Sequence, residues 1–397
     1  MPIGDKKGGF VRPGYDPLEV PNEPTSVSVT AGDTELEVSF TAPANTGGGA
    51  ITAYQAATTT GASTTGASSP LTITGLTNDV TYNVRVWALN AYGPGPFGTG
   101  SGTPVLTPEA LFGGGQTSGG NVNVIDFLNI ASLSASFDFG DLSSATSYLS
   151  SFSSATRGVW AGGESGTTWD VIQYVTIATK GNSSDFGDLV TPVAGGEAGA
   201  SNSTRGLTAG GVDSGGRSNV IQYVTIATTG NSTDFGNLIA ANNTLAGTAN
   251  TTRAVFGGGF PGARTNVIQY VTIASTGNAT DFGDLIAAVN ALTACASSTR
   301  GLFAGGEDTD LSNVIQYITI ASTGNATDFG DLTVARTAPG AASSTVRGVF
   351  AGGYGPDYSN VTDYVTIATT GNATDFGDLT SASDQLSGCS SSHGGIA

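Results

Sequence analysis

The chain has 397 residues, 60 of them glycine, with 13 basic against 31 acidic side chains and a formal net charge of −18. That charge disfavours phosphate-bearing partners, both nucleic acid and anionic membrane surfaces, and no apolar run reaches the roughly 18 residues a membrane helix needs. Hydrophobic residues still make up 38%, so the glycines are expected in turns between short strands rather than in disorder.

Residues 1–20 show neither strand nor helix periodicity, and the two lysines near the start have no apolar stretch behind them. They read as an irregular, non-secretory arm, with Phe10, Arg12 and Tyr15 as candidate docking contacts. From residue 21 to 104 short alternating runs are separated by turn clusters: SVSVT, ELEVSFTAP, AITAYQAATT, PLTITGL and TYNVRVWALNAYGPG. This stretch resembles the fibronectin type III family, most specifically in Leu76, Tyr82 and the following VRVWALNAYGPG. The resemblance implies a β-sandwich, with Leu76 and Tyr82 at its tyrosine corner and a spacing role. Phe40 stands where the family has Trp, and no RGD-type loop is present. Residues 105–108 read as a linker.

Residues 109–397 are repetitive. A Gly-Gly doublet after an apolar strand recurs at Gly114, Gly162, Gly210, Gly258, Gly305 and Gly352, and DFG recurs at Asp138, Asp185, Asp234, Asp281, Asp328 and Asp375. Between them lie strands such as NVIQYVTIA, apolar on both faces (Val220, Val224 and Ile226 on one, Ile221 and Tyr223 on the other), as expected for a sheet held between neighbours. A weaker stretch such as ALTACASST precedes each recurring Arg. Four strands in about 47 residues is the content of a propeller blade. The array opens on a second strand (EALFGGG) and ends on a surplus first strand (DQLSGCSSS), an offset that lets the C-terminal strand complete the first blade and leave no free edge. The expected fold is therefore all-β: a fibronectin type III-like sandwich, then a six-bladed β-propeller over 109–397 closed by the C-terminal strand. The Gly-Gly doublet with a Tyr-bearing strand resembles the kelch family, although Phe of DFG replaces the kelch Trp. The arm GGFVRPGY, the fibronectin-like module and repeats such as RGVFAGG and GNATDFGDL together resemble virion structural proteins of marine bacteriophages.

The recurring polar residues have structural readings. DFG occurs without a P-loop, VAIK or HRD sequence, which excludes a kinase; its Asp and Gly suit turns and its Phe a wedge between blades. Arg157, Arg205, Arg253, Arg300 and Arg347 share one position, held by Glu109 in the first unit. They are expected to pair with recurring acidic residues such as Asp138, Asp185 and Asp281, the alternative being an anion site. One DFGD per blade is not a DxDxDG loop, so calcium at the acidic positions is the lesser alternative, and Asn231, Asn278, Asn325 and Asn372 suit TGN turns. Cys295 and Cys389 form no CxxC pair and are expected as buried free thiols. His393 is the single histidine, too little for a Ser-His-Asp triad or a metal. Paired carboxylates could act without histidine, but nearly every acidic residue belongs to the repeat. No catalytic residue, cofactor or metal is expected.

The units differ most between the Gly-Gly doublet and the long strand, in ESGTTWD, VDSGGRS, FPGART, EDTDLS and YGPDYS. Those loops should share one rim, making Trp169, Arg217, Phe260, Arg264, Tyr354 and Tyr358 the candidate binding face. The expected function is that of a non-enzymatic surface protein of a phage particle, a tail fibre or decoration protein. It would be made in the host cytoplasm without a signal peptide, docked on other virion proteins by its arm, and able to bind host-surface glycan or protein. A homo-oligomer is compatible with this, though no heptads require one. The alternatives are a kelch-like interaction scaffold outside any virion and a carbohydrate-active enzyme, the latter favoured by symmetry-breaking rim carboxylates of raised pKa.

Overall fold

A computed structural model describes residues 19–32, 34–78, 80–105, 107–132, 135–166 and 169–396. The arm residues Phe10, Arg12 and Tyr15 lie outside the described residues. The chain divides into two compact units, Met1–Thr107 and Pro108–Ala397, and strands are the only regular elements among the described residues.

The first unit has strands β1 (Thr25–Gly32), β2 (Glu35–Thr41), β3 (Ile51–Thr58), β4 (Ser63–Gly66), β5 (Leu71–Ile73), β6 (Tyr82–Asn90) and β7 (Gly93–Gly102). They form two sheets, β1-β2-β5 and β4-β3-β6-β7. Period-2 alternation turns Leu36, Val38 and Phe40 of β2 inward against Tyr54 and Ala56 of β3 and Val84, Val86 and Ala88 of β6. Phe40 fills the core with its ring 4.9 Å from that of Tyr54. Tyr82 Oη accepts the N–H of Thr77 at 3.1 Å, beside buried Leu76, which pins the crossover between the sheets. Glu19, read from sequence as part of the arm, is tied to the sandwich: its N–H donates to Gly47 O and its carbonyl accepts from Asn90 Nδ2, both at 2.8 Å.

The second unit is built on antiparallel four-strand groups, numbered here as sheets I–VI with strands in order of pairing, with a short hairpin of Gln116–Thr117 and Gly120–Asn121 and a short strand Gly216–Arg217 beside them. Sheet I comprises Ser387–Ser390, Glu109–Gly113, Val124–Asn129 and Phe137–Asp141. Sheet II comprises Ser150–Ser153, Arg157–Ala161, Trp169–Thr176 and the start of Ser184–Ser201; sheet III takes the rest of that strand, then Arg205–Asp213, Val220–Thr225 and Thr233–Asn237. Sheet IV is Ala246–Ala249, Arg253–Gly257, Val267–Thr272 and Thr280–Asp284; sheet V is Thr293–Ala296, Arg300–Ala304, Val314–Thr319 and Thr327–Asp331. Sheet VI is Gly340–Ser343, Arg347–Ala351, Val361–Thr366 and Thr374–Asp378. The long strand Ser184–Ser201 makes sheets II and III one continuous eight-stranded path, and no sheet closes on itself.

The surplus C-terminal strand pairs antiparallel with the first strand of the array, Cys389 opposite Leu111 and Ser390 opposite Ala110. The core lies between sheets rather than within one. Leu111, Ile125 and Phe139 of sheet I meet Trp160 and Val175 of sheet II; equivalent clusters join II to III, III to IV, IV to V and V to VI. A further cluster brings Val349 and Ala351 of sheet VI onto Ala110, Phe112 and Leu128 of sheet I. Cys295 and Cys389 are free and buried in these clusters, and burial pushes both thiols up to about 12.

Candidate functional site

The repeat arginines act at the junctions between sheets, while the DFG aspartates are exposed. Each repeat Arg lies over the Tyr of its own sheet, as Arg157 does over Tyr174 at 4.5 Å, and donates to the next sheet. Arg157 Nη1 reaches Ile226 O at 2.8 Å, Arg205 reaches Ile273 O, Arg253 reaches Ile320 O, Arg300 reaches Ile367 O, and Arg347 reaches Ile130 O of sheet I. The expected pairing with Asp138, Asp185 and Asp281 is therefore wrong. Those arginines satisfy carbonyls left free where the neighbouring long strand ends, and a half-buried guanidinium over an aromatic face serves that task without a carboxylate. Sheet I carries Glu109 in place of Arg and Phe127 in place of Tyr; Lys180 of sheet II covers Phe127 at 4.2 Å.

DFG and TGN form a second junction. The Asn of TGN accepts from the strand-four backbone of the preceding sheet, as in Asp331 N to Asn372 Oδ1 at 3.2 Å and Asp284 N to Asn325 Oδ1 at 3.1 Å. The DFG glycine is required by this approach: a Cβ on Gly283 would fall 2.5 Å from Gly324 O, at φ +145°. The DFG Phe packs edge-on against the Tyr of its sheet, Phe282 to Tyr270 at 5.8 Å, and faces the next sheet as a wedge.

Antiparallel order puts the Gly-Gly loops and the links between successive sheets at the opposite end of the strands from these junctions. There the six first strands enclose a cavity of about 110 Å³. At its mouth Tyr148, Thr244, Ala291, Ala338 and Gln385 all have φ between 50° and 56°. Each donates its N–H to the neighbouring sheet: Tyr148 to Gln385 O at 3.0 Å, Gln385 to Ala338 O at 2.9 Å, Ala338 to Ala291 O at 2.7 Å, Ala291 to Thr244 O at 2.9 Å, and Thr244 to Gly196 O at 2.7 Å. Deeper, small residues let the first strands touch. Ser153 Oγ donates to Ser390 O at 2.7 Å and Ser390 Oγ to Ser343 O at 2.6 Å. At the far end the tail enters: Gly394 N–H donates to Ala296 O at 2.9 Å, and His393 Nε2 lies 3.3 Å from Ser201 Oγ. His393 is half-buried, and burial pushes its pKa down to about 4.

The six candidate rim residues all follow a Gly-Gly doublet, but they split into separate groups. Arg217 lies over the Phe260 ring at 5.0 Å. Arg264 Nε donates to Asn290 Oδ1 at 3.0 Å, and Nη2 pairs with Glu307. Tyr354 and Tyr358 stack edge-on at 5.3 Å. Trp169 starts the third strand of sheet II, opposite Val193, with its Nε1 buried and unpartnered.

Around Tyr354 and Tyr358 the structure gathers residues the sequence reading did not single out. Tyr358 Oη lies 3.5 Å from Gln116 Oε1, and the backbones of Gln116 and Asp384 exchange hydrogen bonds at 2.8 and 3.0 Å. Gln385 Nε2 donates to Asp384 Oδ2 at 3.3 Å, leaving Oδ1 buried without a partner. Burial pushes the Asp384 carboxyl up to about 6. The Tyr148 phenol is raised by burial and then by the charges of Asp384 and Glu164. Asp384 is one of the few acidic residues that stand outside the repeat. Glu197, in the cavity wall where other units have Leu149, Leu245, Leu292, Pro339 and Leu386, breaks it as well. Both its oxygens are buried without a hydrogen-bond partner, and burial drives its carboxyl well above the usual range. Departure from the repeat was the signal for Tyr148, Glu197 and Asp384. Among the described residues no three His, Cys, Asp or Glu side chains come together as metal ligands.

Residues 22–101 match the fibronectin type III domain family. Those residues form a fibronectin type III domain. The match ends within the first unit and leaves residues 108–397 unassigned. No curated protein matches the chain.

Proposed function

We propose that the chain is a non-enzymatic adhesive and structural protein of a phage virion. In this reading residues 108–397 form a six-bladed, kelch-like propeller closed by the C-terminal strand, and the Gly-Gly face binds a host-surface component or a neighbouring virion protein. The observation that supports closure is the linkage of the two ends of the array: Ser387–Ser390 pairs with Glu109–Gly113, Arg347 of sheet VI reaches Ile130 of sheet I, and Tyr148 of sheet II reaches Gln385. An open stack gains nothing from permuted ends, whereas a ring loses its free edges. The binding role is supported by the division of labour in the unit, repeated polar residues holding the sheets while departures collect at the Gly-Gly face. The virion setting rests on the arm, the fibronectin type III domain and the Gly/Ser/Thr-rich repeats occurring together.

A second reading, a carbohydrate-active enzyme, draws on the raised carboxyls of Asp384 and Glu197. Cryo-electron microscopy of particles containing the chain, with incubation of the purified chain on host-surface polysaccharide, separates these readings. Density for residues 1–20 against another virion protein, the second unit facing outward and uncleaved polysaccharide are expected. A chain absent from particles favours a free scaffold, and saccharide release that Asp384→Asn abolishes favours the enzyme.

A further inference from the structure

We infer that the sector of the Gly-Gly face formed by Tyr148, Tyr354, Tyr358, Gln116, Asp384 and Gln385 is a binding site for neutral saccharide. The inference deepens the proposed adhesive role and rests on it for the identity of the functional face. Tyr354 and Tyr358 lie in the Gly-Gly loop of sheet VI, Gln116 in the Gly-Gly loop of sheet I, Asp384 and Gln385 in the lead into the closing strand Ser387–Ser390, and Tyr148 in the lead into sheet II, so the site straddles the seam where the array meets its own end.

The chemistry of this sector differs from the rest of the rim. Tyr354 is exposed and held edge-on by Tyr358, which fixes an apolar ring face with a phenol beside it, suited to the C–H face of a sugar ring. Tyr148 and Gln385 line the mouth of the cavity. Asp384 Oδ2 accepts from Gln385 Nε2 at 3.3 Å, which holds that amide at the mouth. Gln116 and Gln385 offer amides able both to donate and to accept, which a ligand dense in hydroxyls requires. Charge selects against anionic sugars. The charges of Asp384 and Glu164 both act on the Tyr148 phenol, while Arg217 and Arg264 of the rim are already engaged, by the Phe260 ring and by Glu307. The saccharide therefore meets hydroxyl-compatible groups and no unpaired cation among the described rim residues.

The test is a titration of the full chain with a panel of neutral oligosaccharides (glucose, galactose and mannose oligomers) and with sialylated and uronate-containing counterparts. It is repeated on Tyr148→Ala, Tyr354→Ala and, as a control at the other rim sector, Phe260→Ala. At least one neutral oligosaccharide should bind with a millimolar or tighter Kd, the charged counterparts more weakly. Either tyrosine variant should lower affinity at least tenfold, with unchanged circular dichroism and thermal midpoint, and Phe260→Ala should leave it within twofold. No neutral saccharide bound by the native chain, or binding indifferent to both tyrosines, overturns the site. Adhesion of the chain to host cells, scored in parallel, separates the two proposals: adhesion that saccharide does not compete and the tyrosine variants retain overturns the site alone. Saccharide binding without adhesion supports the site and overturns the adhesive role.

Discussion

The two ends of the strands in the second unit carry different kinds of residue. At one end the same side chains recur in successive sheets, and each reaches across a junction: Arg253 to Ile320 O, Asn325 to Asp284 N, Phe282 to the neighbouring core. At the Gly-Gly end the sheets differ, with a cationic pair of loops around Arg217, Phe260 and Arg264 and an aromatic, acidic sector around Tyr148, Tyr354 and Asp384. In a repeat protein stability is close to a sum of unit and interface terms, so residues that make interfaces recur. Recurrence there marks cohesion and departure marks either a local packing solution or recognition.

The comparison breaks most completely at the seam. Removing residues 384–397 exposes the edge of Glu109–Gly113 and takes Leu386 and Cys389 out of two inter-sheet clusters. Calorimetry should then lose the cooperative transition of the second unit while that of the fibronectin type III domain persists. Next comes the buried ion pair of Arg336 Nη2 and Asp363 Oδ2, 2.8 Å apart with both side chains at 0% exposure. The equivalent positions in the preceding repeat are Val289 and Gln316. Asp363→Asn or Arg336→Met should each cost about 3–5 kcal/mol, because a lone buried charge remains, and the double change Arg336→Val with Asp363→Gln should recover most of it, as denaturant titration would read. A single junction is worth less: Arg253→Ala removes one charged bond to a carbonyl and one ring contact, about 1–2 kcal/mol.

The smallest effects are in pH dependence, and their signs differ. Glu197 has a raised pKa when folded, so its contribution to stability falls as pH rises above its ordinary 4.5; Glu197→Gln should flatten that fall and raise the thermal midpoint at neutral pH. His393, pushed down to about 4 from 6.5, contributes fully above pH 6.5 and loses that contribution as pH falls toward 4. His393→Asn should blunt the acid limb of a midpoint-against-pH profile.

Much of this architecture was legible in the chain. Leu76 and Tyr82 located the crossover of the fibronectin type III domain, and the count of strands located Ser387–Ser390 as the partner of Glu109–Gly113, because apolar alternation and repeat phase are properties of sequence. The partners of the repeat arginines were not legible: a carbonyl at the end of the next sheet's strand carries no residue signature, so the abundant carboxylates seemed the natural choice. The Arg336–Asp363 pair had left a trace, two departures from neighbouring repeats within a few strands of one another. The aromatic sector was half visible. Tyr354 and Tyr358 lie in a divergent loop, but Tyr148 and Asp384 come from opposite ends of the array and meet only when its ends do.

That dependence makes closure the decisive question, since the saccharide site exists only if the seam is formed in solution. Hydrogen exchange of the intact chain measures it, with amides of residues 387–390 compared with those of the equivalent first strand Ala246–Ala249. Equal protection, lost together under denaturant, is the expected result. Fast exchange at 387–390 beside slow exchange at 246–249 would contradict closure and, with it, the binding site built across the seam.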